Sequence, residues 1–437
     1  MITNEKYKIA VIGLGKIGLP LAVQFAKKGF KVFGADINER VVNSVNKGEA
    51  PFPGEKDLNR FLAEVVSAGL LISSTDTSDM VSRSNAVVVV VPLFVDELGV
   101  PDFRAMDQAT KSIGKGLKSG TLVSYETTLP VGTTRQRFAP LLESYSSLKS
   151  DLDFHLVFSP ERVLTGRVFE DLRKYPKLVG GISPEAEAAG VRFYSQVLEF
   201  DARDDLPHAN GVWSMGSAEA SEFAKLAETT FRDVNIALAN QFALFAEANN
   251  IDVNRVIEAS NSQPYSHIHQ PGIAVGGHCI PIYPQMYLWN DPSASVVRVA
   301  RETNLLMPTK CVEKLETIHG SLVGERIGVL GASYRGGVKE TAFSGVFSVV
   351  EKLLEKGALV SVHDPMYSDE ELVRLGFTPL HVTDSVDALI VQANHQLYSR
   401  LAKSDFPGVR TVLDGRRILT EPNWQGVRFH LIGRGLS

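Results

Sequence analysis

Cysteine is almost missing from this chain: Cys279 and Cys311 are the only two in 437 residues. Two thiols cannot build a disulfide framework, so the core must hold the fold, and a reducing cytoplasm is the expected compartment. Long apolar runs are missing too. The longest, from Ala86 to Val95, is interrupted by Pro92 and is too short to span a bilayer. The polar start, Met1 to Tyr7, has no signal-peptide core, so no leader is expected. Charge of one sign is not in large excess. Lys plus Arg is 45 and Asp plus Glu is 50, a net charge of -5 that gives no reason to expect nucleic acid or an anionic membrane as partner. Low-complexity tracts and solenoid repeats are absent, and no metal site is expected.

What is present is an ordinary soluble composition, 44% hydrophobic and 22% charged, long enough for two or three domains with full cores. Lys8 to Ile12 reads as a strand, and Gly13-Leu14-Gly15-Lys16-Ile17-Gly18 follows it. Leu21 to Lys28 has helical spacing, and a second strand, Lys31 to Ala35, ends at Asp36. This is the G-x-G-x-x-G pattern in the context its chemistry needs, with a strand before, a helix after and an acid at the end of the next strand. Gly13 allows the tight turn, Gly15 lets backbone N–H groups approach a pyrophosphate, and Gly18 permits close helix–strand packing. Asp36 suits a ribose diol and repels a 2′-phosphate, so NAD is the expected cofactor. Arg40, one helical turn on, is placed to soften that preference. Without its context the glycine pattern marks only a helix-start turn.

Five consecutive valines, Val87 to Val91, suit a parallel strand buried on both faces. Strands are expected at Ala86–Val91, Thr121–Tyr125, His155–Phe158 and Leu178–Gly181. The alternation of strand and helix predicts an α/β, doubly wound parallel sheet. Ligands in such sheets bind beyond the carboxyl ends of the strands. Pro92 and Leu93 lie there, as do Thr127-Thr128-Leu129-Pro130 and Ser159-Pro160-Glu161-Arg162-Val163. Ser, Thr and Pro also populate plain turns.

From Ser217 to Asn250 a long helical pattern runs without glycine or proline. It suits a helix that joins two domains or builds a dimer core. Lys225, Thr229 and Arg232 fall on one of its faces. Its surplus apolar residues, around Phe242 and Phe245, predict a homodimer or higher homo-oligomer. A second α/β pattern starts at Arg326 to Leu330 and leads into Gly331-Ala332-Ser333-Tyr334-Arg335-Gly336-Gly337. It lacks a full glycine fingerprint, so a second NAD is not expected there, whereas another phosphate-bearing ligand fits Arg335. A further basic cluster follows at Arg416-Arg417. The expected division is 1–205, 206–318 and 319–437.

Between the helix and the second α/β pattern lies Val275-Gly276-Gly277-His278-Cys279-Ile280-Pro281. Glycines let the backbone turn and let another group approach, while Pro271, Pro281 and Pro284 stiffen the flanks. A cysteine on such a loop is a candidate nucleophile where a neighbouring cation favours its thiolate. The alternative is a small apolar residue packed under a loop.

Two Rossmann-like patterns, a long joining helix bearing a lysine, and a Gly-Gly-X-Cys loop together resemble the nucleotide-sugar 6-dehydrogenase family, over essentially the whole chain. Gly276 to Cys279 and Pro160 to Val163 look like its N-acetylhexosamine branch. The resemblance implies oxidation of the C6 alcohol of a nucleotide sugar, a UDP-sugar above all, to a carboxylate by two NAD. Cys279 would carry a thiohemiacetal and then a thioester. Lys225 would stabilise charge on the C6 oxygen, and Thr128 and Glu161 would position or activate water. Arg162, Val163, Arg232, Gly276, Tyr334, Arg335 and Arg416 match positions around the substrate. Departures are equally visible: Tyr283 stands where the family has Asp, Thr229 where it has Asn, Tyr265 where an Arg reaches a neighbouring subunit, and Leu93 where a Thr follows the proline. Three other readings fit parts of the pattern: a UDP-glucose dehydrogenase, a two-electron hydroxyacid-type dehydrogenase that needs no cysteine, and a non-catalytic nucleotide-sugar-binding protein.

Overall fold

The computed structural model describes residues 7–96 and 99–435. It divides into two compact units, with the boundary between Ala227 and Glu228.

The first unit is built on an eight-stranded sheet. Its strands are β1 (Lys8–Ile12), β2 (Lys31–Ala35), β3 (Leu71–Ser74), β4 (Ala86–Val89), β7 (Leu122–Tyr125), β8 (His155–Phe158), β9 (Lys177–Gly181) and β10 (Val212–Ser214). Two short strands between them, β5 (Phe94–Val95) and β6 (Pro101–Asp102), form a separate antiparallel pair. The sheet order is β10-β9-β8-β7-β4-β1-β2-β3. The four residues of β4 are all buried, as a valine run covered on both faces requires. From β3 to β8 the sheet is parallel, with register pairs such as Val11 with Val88 and Ser124 with Val157.

One departure from the sequence-based expectation matters for function. The strand read as another parallel member, β9, runs antiparallel to β8, pairing Val157 with Gly181. β10 is parallel to β9. Reversal brings the first residue of β9, Lys177, to the same edge as the carboxyl ends of β7 and β8. A strand pattern carries no direction, so the sequence could not reveal this.

The second unit carries a five-stranded, wholly parallel sheet in the order β12-β11-β13-β14-β15. Its strands are β11 (Arg326–Leu330), β12 (Leu359–His363), β13 (Ala388–Val391), β14 (Thr411–Asp414) and β15 (Arg428–Leu431). The helices Ala218–Ala248 and Ser295–His319 are the longest of the described residues. In the first, the central helix, the buried apolar residues of the second half are small: Ala237, Ala239, Ala243 and Ala246. The aromatic residues point outward instead, with Phe231 58% and Phe245 63% exposed. No described helix is long and apolar enough to cross a membrane.

Close approach at the first turn explains its last glycine. A Cβ added to Gly18 would stand 1.9 Å from the carbonyl oxygen of Gly13. Gly18→Ala must therefore push the helix Gly18–Lys27 off β1. Overpacking of this kind costs about 1–3 kcal/mol. The expected outcome is a lower thermal midpoint by calorimetry together with weaker dinucleotide binding. An unchanged midpoint would show that the turn relaxes freely.

Candidate active site

The dinucleotide turn has the geometry its sequence predicts. Gly13 takes a φ of +92°, which a side chain disfavours. A Cβ at Gly15 would meet no protein atom within 4 Å, so the space in front of it is open to a ligand. Asp36 ends β2 and accepts the N–H of Leu14 at 2.8 Å through one oxygen and that of Asn38 at 2.9 Å through the other. Ile17 packs against the core of this unit, and Lys16 is exposed beside it. Arg40 is exposed in the first turn of the next helix. After β4, Pro92 is exposed and Leu93 is buried.

Past β7 and β8 the chain places a buried polar cluster. Thr127 donates to the carbonyl of Val91 at 2.6 Å, and Thr128 beside it is buried. Glu126, one residue beyond β7, accepts from Lys177 at 2.8 Å and from the hydroxyl of Tyr194. Lys177 also donates to Glu161. Burial pushes the Glu126 carboxyl up to about 8, against the pull of the Lys177 ammonium. Arg162 sends Nη1 to the carbonyl of Pro176 at 3.5 Å, and Val163 packs on the core. The rest of this loop hangs on two acids: Gly166 and Val168 donate their N–H groups to Glu55, and Leu164 donates to Asp171.

The central helix contributes Lys225, which is buried, and Glu222 one turn earlier. Glu222 accepts the N–H of Gly132 at 2.6 Å, the N–H of Thr134 at 2.9 Å and the Thr134 hydroxyl at 2.7 Å. It thereby grips the loop that follows Thr128. Burial raises its pKa to about 7, while these three donors oppose the rise. Thr229 is buried one turn after Lys225, and Arg232 is exposed.

In the second unit the cysteine loop is held from several sides. Cys279 is exposed and its carbonyl accepts the N–H of Tyr283 at 2.9 Å, where the helix Tyr283–Asn290 starts. What approaches the two glycines is Tyr334. A Cβ at Gly276 would lie 2.6 Å from Cβ of Tyr334 and 2.7 Å from the carbonyl oxygen of Phe343. Gly277, at a φ of +93°, donates its N–H to Ala342 at 2.9 Å. Arg335 is exposed, and its Nε reaches the Tyr334 hydroxyl at 3.2 Å. Arg416 donates to the carbonyls of Gln392 at 2.7 Å and Ala274 at 2.9 Å, so it ties the loop to the end of β13. Burial drives its pKa down to about 10. Arg301 donates to the carbonyl of Ile280 at 3.1 Å and faces Asp233 at 3.2 Å. Asn304 donates to Asp233 at 2.8 Å and accepts from Asn240, which in turn accepts the N–H of Gly272 at 2.9 Å. This buried chain pins the loop on both sides of the thiol. An open cavity of about 480 Å³ lies alongside, lined by Asn254, Asn261, Gln270, Arg416 and Arg417 among others. Tyr265 stands 93% exposed on the preceding loop.

Residues 7–198 match the NAD binding domain of the UDP-glucose/GDP-mannose dehydrogenase family, residues 219–305 match its central domain, and residues 328–421 match its UDP binding domain. The chain belongs to this family. It is 35% identical to the UDP-N-acetyl-D-mannosamine dehydrogenase of Pyrococcus horikoshii, over 98% of this chain and 99% of that one. It is 33% identical to the enzyme of the same name from Campylobacter jejuni, over 81% of this chain and 85% of that one. A solved UDP-D-ManNAc dehydrogenase from Pyrococcus horikoshii superposes with a TM-score of 0.86 at 32% identity, covering 98% of this chain and 99% of that one. The protein is an NAD-dependent nucleotide-sugar dehydrogenase.

For this family the missed residues are as informative as the expected ones. Glu126 lies at a strand's carboxyl end, where ligands of such sheets bind, and that rule alone was signal enough to find it. Lys177 and Glu222 had no such signal, because their partners are distant in sequence. NAD, when bound, supplies the hydride acceptor. The open space at Gly15 and the carboxylate of Asp36 fit its pyrophosphate and adenosine ribose. The expected outcome is a clear preference for NAD over NADP in kcat/KM. Asp36→Asn keeps the shape but removes the charge, and should cut that preference by about tenfold, or about 1.4 kcal/mol. Equal use of both cofactors by the unmodified enzyme would overturn this assignment.

Proposed function

We propose that the protein oxidises the C6 hydroxyl of a UDP-N-acetylhexosamine to the carboxylate through a thioester on Cys279. The observation that carries this reading is the exposed thiol on a loop pinned by Arg301, Asn240 and Arg416, which is what a nucleophile needs and a packing cysteine does not. The N-acetylhexosamine branch is supported by Gly276-Gly277-His278-Cys279 and Pro160-Glu161-Arg162-Val163, and by the names of the relatives.

The steps balance as follows. The C6 alcohol loses a hydride and a proton and becomes an aldehyde. The Cys279 sulfur adds to the aldehyde carbon, forming a C–S bond and a thiohemiacetal. A second hydride and proton leave, giving a thioester. Water then attacks the thioester carbon, the C–S bond breaks, and the thiolate leaves with the carboxylic acid formed. Charge gathers on the same oxygen at each stage, and Lys225 is the cation assigned to it. Thr128 and Glu161 hold the water, and Glu161 takes its proton. In this reading Arg162, Val163, Thr229, Arg232, Tyr265, Gly276, Tyr334, Arg335 and Arg416 serve the substrate. Lys16, Ile17, Arg40, Pro92 and Leu93 serve the dinucleotide. The cavity beside Arg416 and Arg417 takes the nucleoside end. We propose the functional division 1–205, 206–318 and 319–437 for these roles, and two free thiols suit the cytoplasm.

A panel of UDP-, GDP- and dTDP-sugars tests the substrate, with NADH formation as the readout. UDP-N-acetylhexosamines should give two NADH per sugar, and a better rate with UDP-glucose would overturn the branch assignment. Cys279→Ser should stop after the first oxidation, because a serine hydroxyl adds poorly. Lys225→Ala should slow both oxidations by roughly a hundredfold to a thousandfold, the usual loss of one charge-assisted contact in a dry site, about 3–4 kcal/mol.

We also propose a two-fold dimer through the outward aromatic face of the central helix, where Phe242 and Phe245 are exposed. Sedimentation at micromolar concentration should give a dimer or a larger even assembly. A monomer there would sink the proposal.

A further inference from the structure

Lys177 is the least expected charge in the first unit. It is 5% exposed and lies between two carboxylates, Glu126 at 0% and Glu161 at 10%. The cluster continues inward through the hydroxyl of Tyr194, which donates to Glu126, to Ser124 at 2.7 Å from Tyr194. The ammonium also sits 4.9 Å from the centre of the Tyr194 ring. The backbone N–H of Glu161 donates to the carbonyl of Glu126 at 3.2 Å, so the two acids are tied twice. The groups facing Glu161 are thus Lys177 from β9, Glu126 from the end of β7 and Tyr194 from the helix Pro184–Val197. Arg162 follows in its own loop.

Burying an ion pair is weak evidence for stability, because desolvation consumes most of the Coulomb gain. Apolar residues in place of the whole cluster would fill the same space at lower cost. The charge count suggests another purpose. With both acids ionised, as they are above the raised pKa of Glu126, two carboxylates and one ammonium leave one negative charge in excess. A proton arriving at Glu161 therefore neutralises the cluster. With Glu161 and Lys177 alone, the same proton would strand a buried ammonium without a counter-ion.

We infer that Lys177 is a positioning residue that holds Glu161 for thioester hydrolysis, with Glu126 as the counter-ion that lets Glu161 accept the proton from water. This rests on the reading of Glu161 given above. In that step water's oxygen bonds to the thioester carbon, its proton passes to Glu161, and the electron pair of the C–S bond leaves with Cys279. No electrons change hands with the cofactor.

The test uses the full-length enzyme, NAD and whichever panel sugar the wild type oxidises best. Lys177→Met keeps most of the length of the side chain and removes the charge. It should release two NADH per site in a first rapid phase and then turn over roughly a hundredfold slower, as expected for loss of general-base assistance. Intact-protein mass spectrometry should show an adduct on Cys279. Lys177→Arg should restore most of the steady rate. The acid limb of the steady-state pH profile should move up in Lys177→Met, where two carboxylates face each other. It should move down in Glu126→Gln, where the ammonium belongs to Glu161 alone. A structural role would move neither limb, and the Glu126→Gln arm decides the matter if Lys177→Met fails to fold. A Glu161→Gln enzyme that turns over normally without an adduct would overturn the assignment of Glu161 itself. If Glu161→Gln traps the adduct while the other variants keep wild-type limbs and rates, only the role of Lys177 falls.

Discussion

Carboxylates that accept loop N–H groups hold several of the candidate functional loops of this protein. Loops lack the ladder partners of strands, so their N–H groups must find acceptors elsewhere or pay for burial unmet. A carboxylate accepts several at once, and such charge-assisted bonds are stronger than neutral ones. Asp36 holds the dinucleotide turn through Leu14, and Glu222 holds the loop after Thr128 through Gly132 and Thr134. Glu55 holds the loop after Glu161 through Gly166 and Val168. In the second unit Asp414 accepts the N–H groups of Arg416 and Leu419, and so fixes the arginine that ties down the cysteine loop.

The same device appears at the first turn of both sheets, with opposite consequences. Asp364 follows β12 as Asp36 follows β2, and it accepts the N–H groups of Ala332 and Ser333. Its carboxylate, however, is also taken by His395 at 3.0 Å, and both side chains are buried. No ribose diol can reach a carboxylate so enclosed. Asp36, by contrast, lies at an open edge beside the space left by Gly15. The two related turns therefore differ in how open their acid is to a ligand. The missing glycine fingerprint in the second turn is the sequence trace of that difference.

How much of this was legible depended on the distance between partners. β1, the glycine turn, β2 and Asp36 lie within one short stretch, and their reading matched the structure strand for strand. The Gly276-Gly277 pair announced that something must come close, but not that it would be Tyr334. The central helix was visible from its unbroken pattern, and its surplus of large apolar residues was legible too, since Phe242 and Phe245 are exposed while alanines such as Ala243 and Ala246 are buried. Periodicity says which residues share a face, and it does not say which face is covered. Lys177 was beyond reach altogether. Its position follows from the direction of β9, and strand direction is set by the connection and the packing rather than by the strand's own residues.

That reversal also bears on the most conspicuous departure from the family's pattern, Tyr283 in place of an aspartate. In this chain Tyr283 opens a helix and gives its N–H to the carbonyl of Cys279, a task any residue but proline can perform. The carboxylate that the position lacks is therefore not needed to shape the loop. If a base is still needed for hydrolysis, it must come from elsewhere. Acids without a cation at hand would be costly to bury at a strand edge, whereas Glu126 and Glu161 share Lys177 and can be kept there. If Glu161 is the hydrolytic base proposed above, a chain that keeps its carboxylates at that edge, with a cation delivered by a reversed strand, needs no acid at position 283.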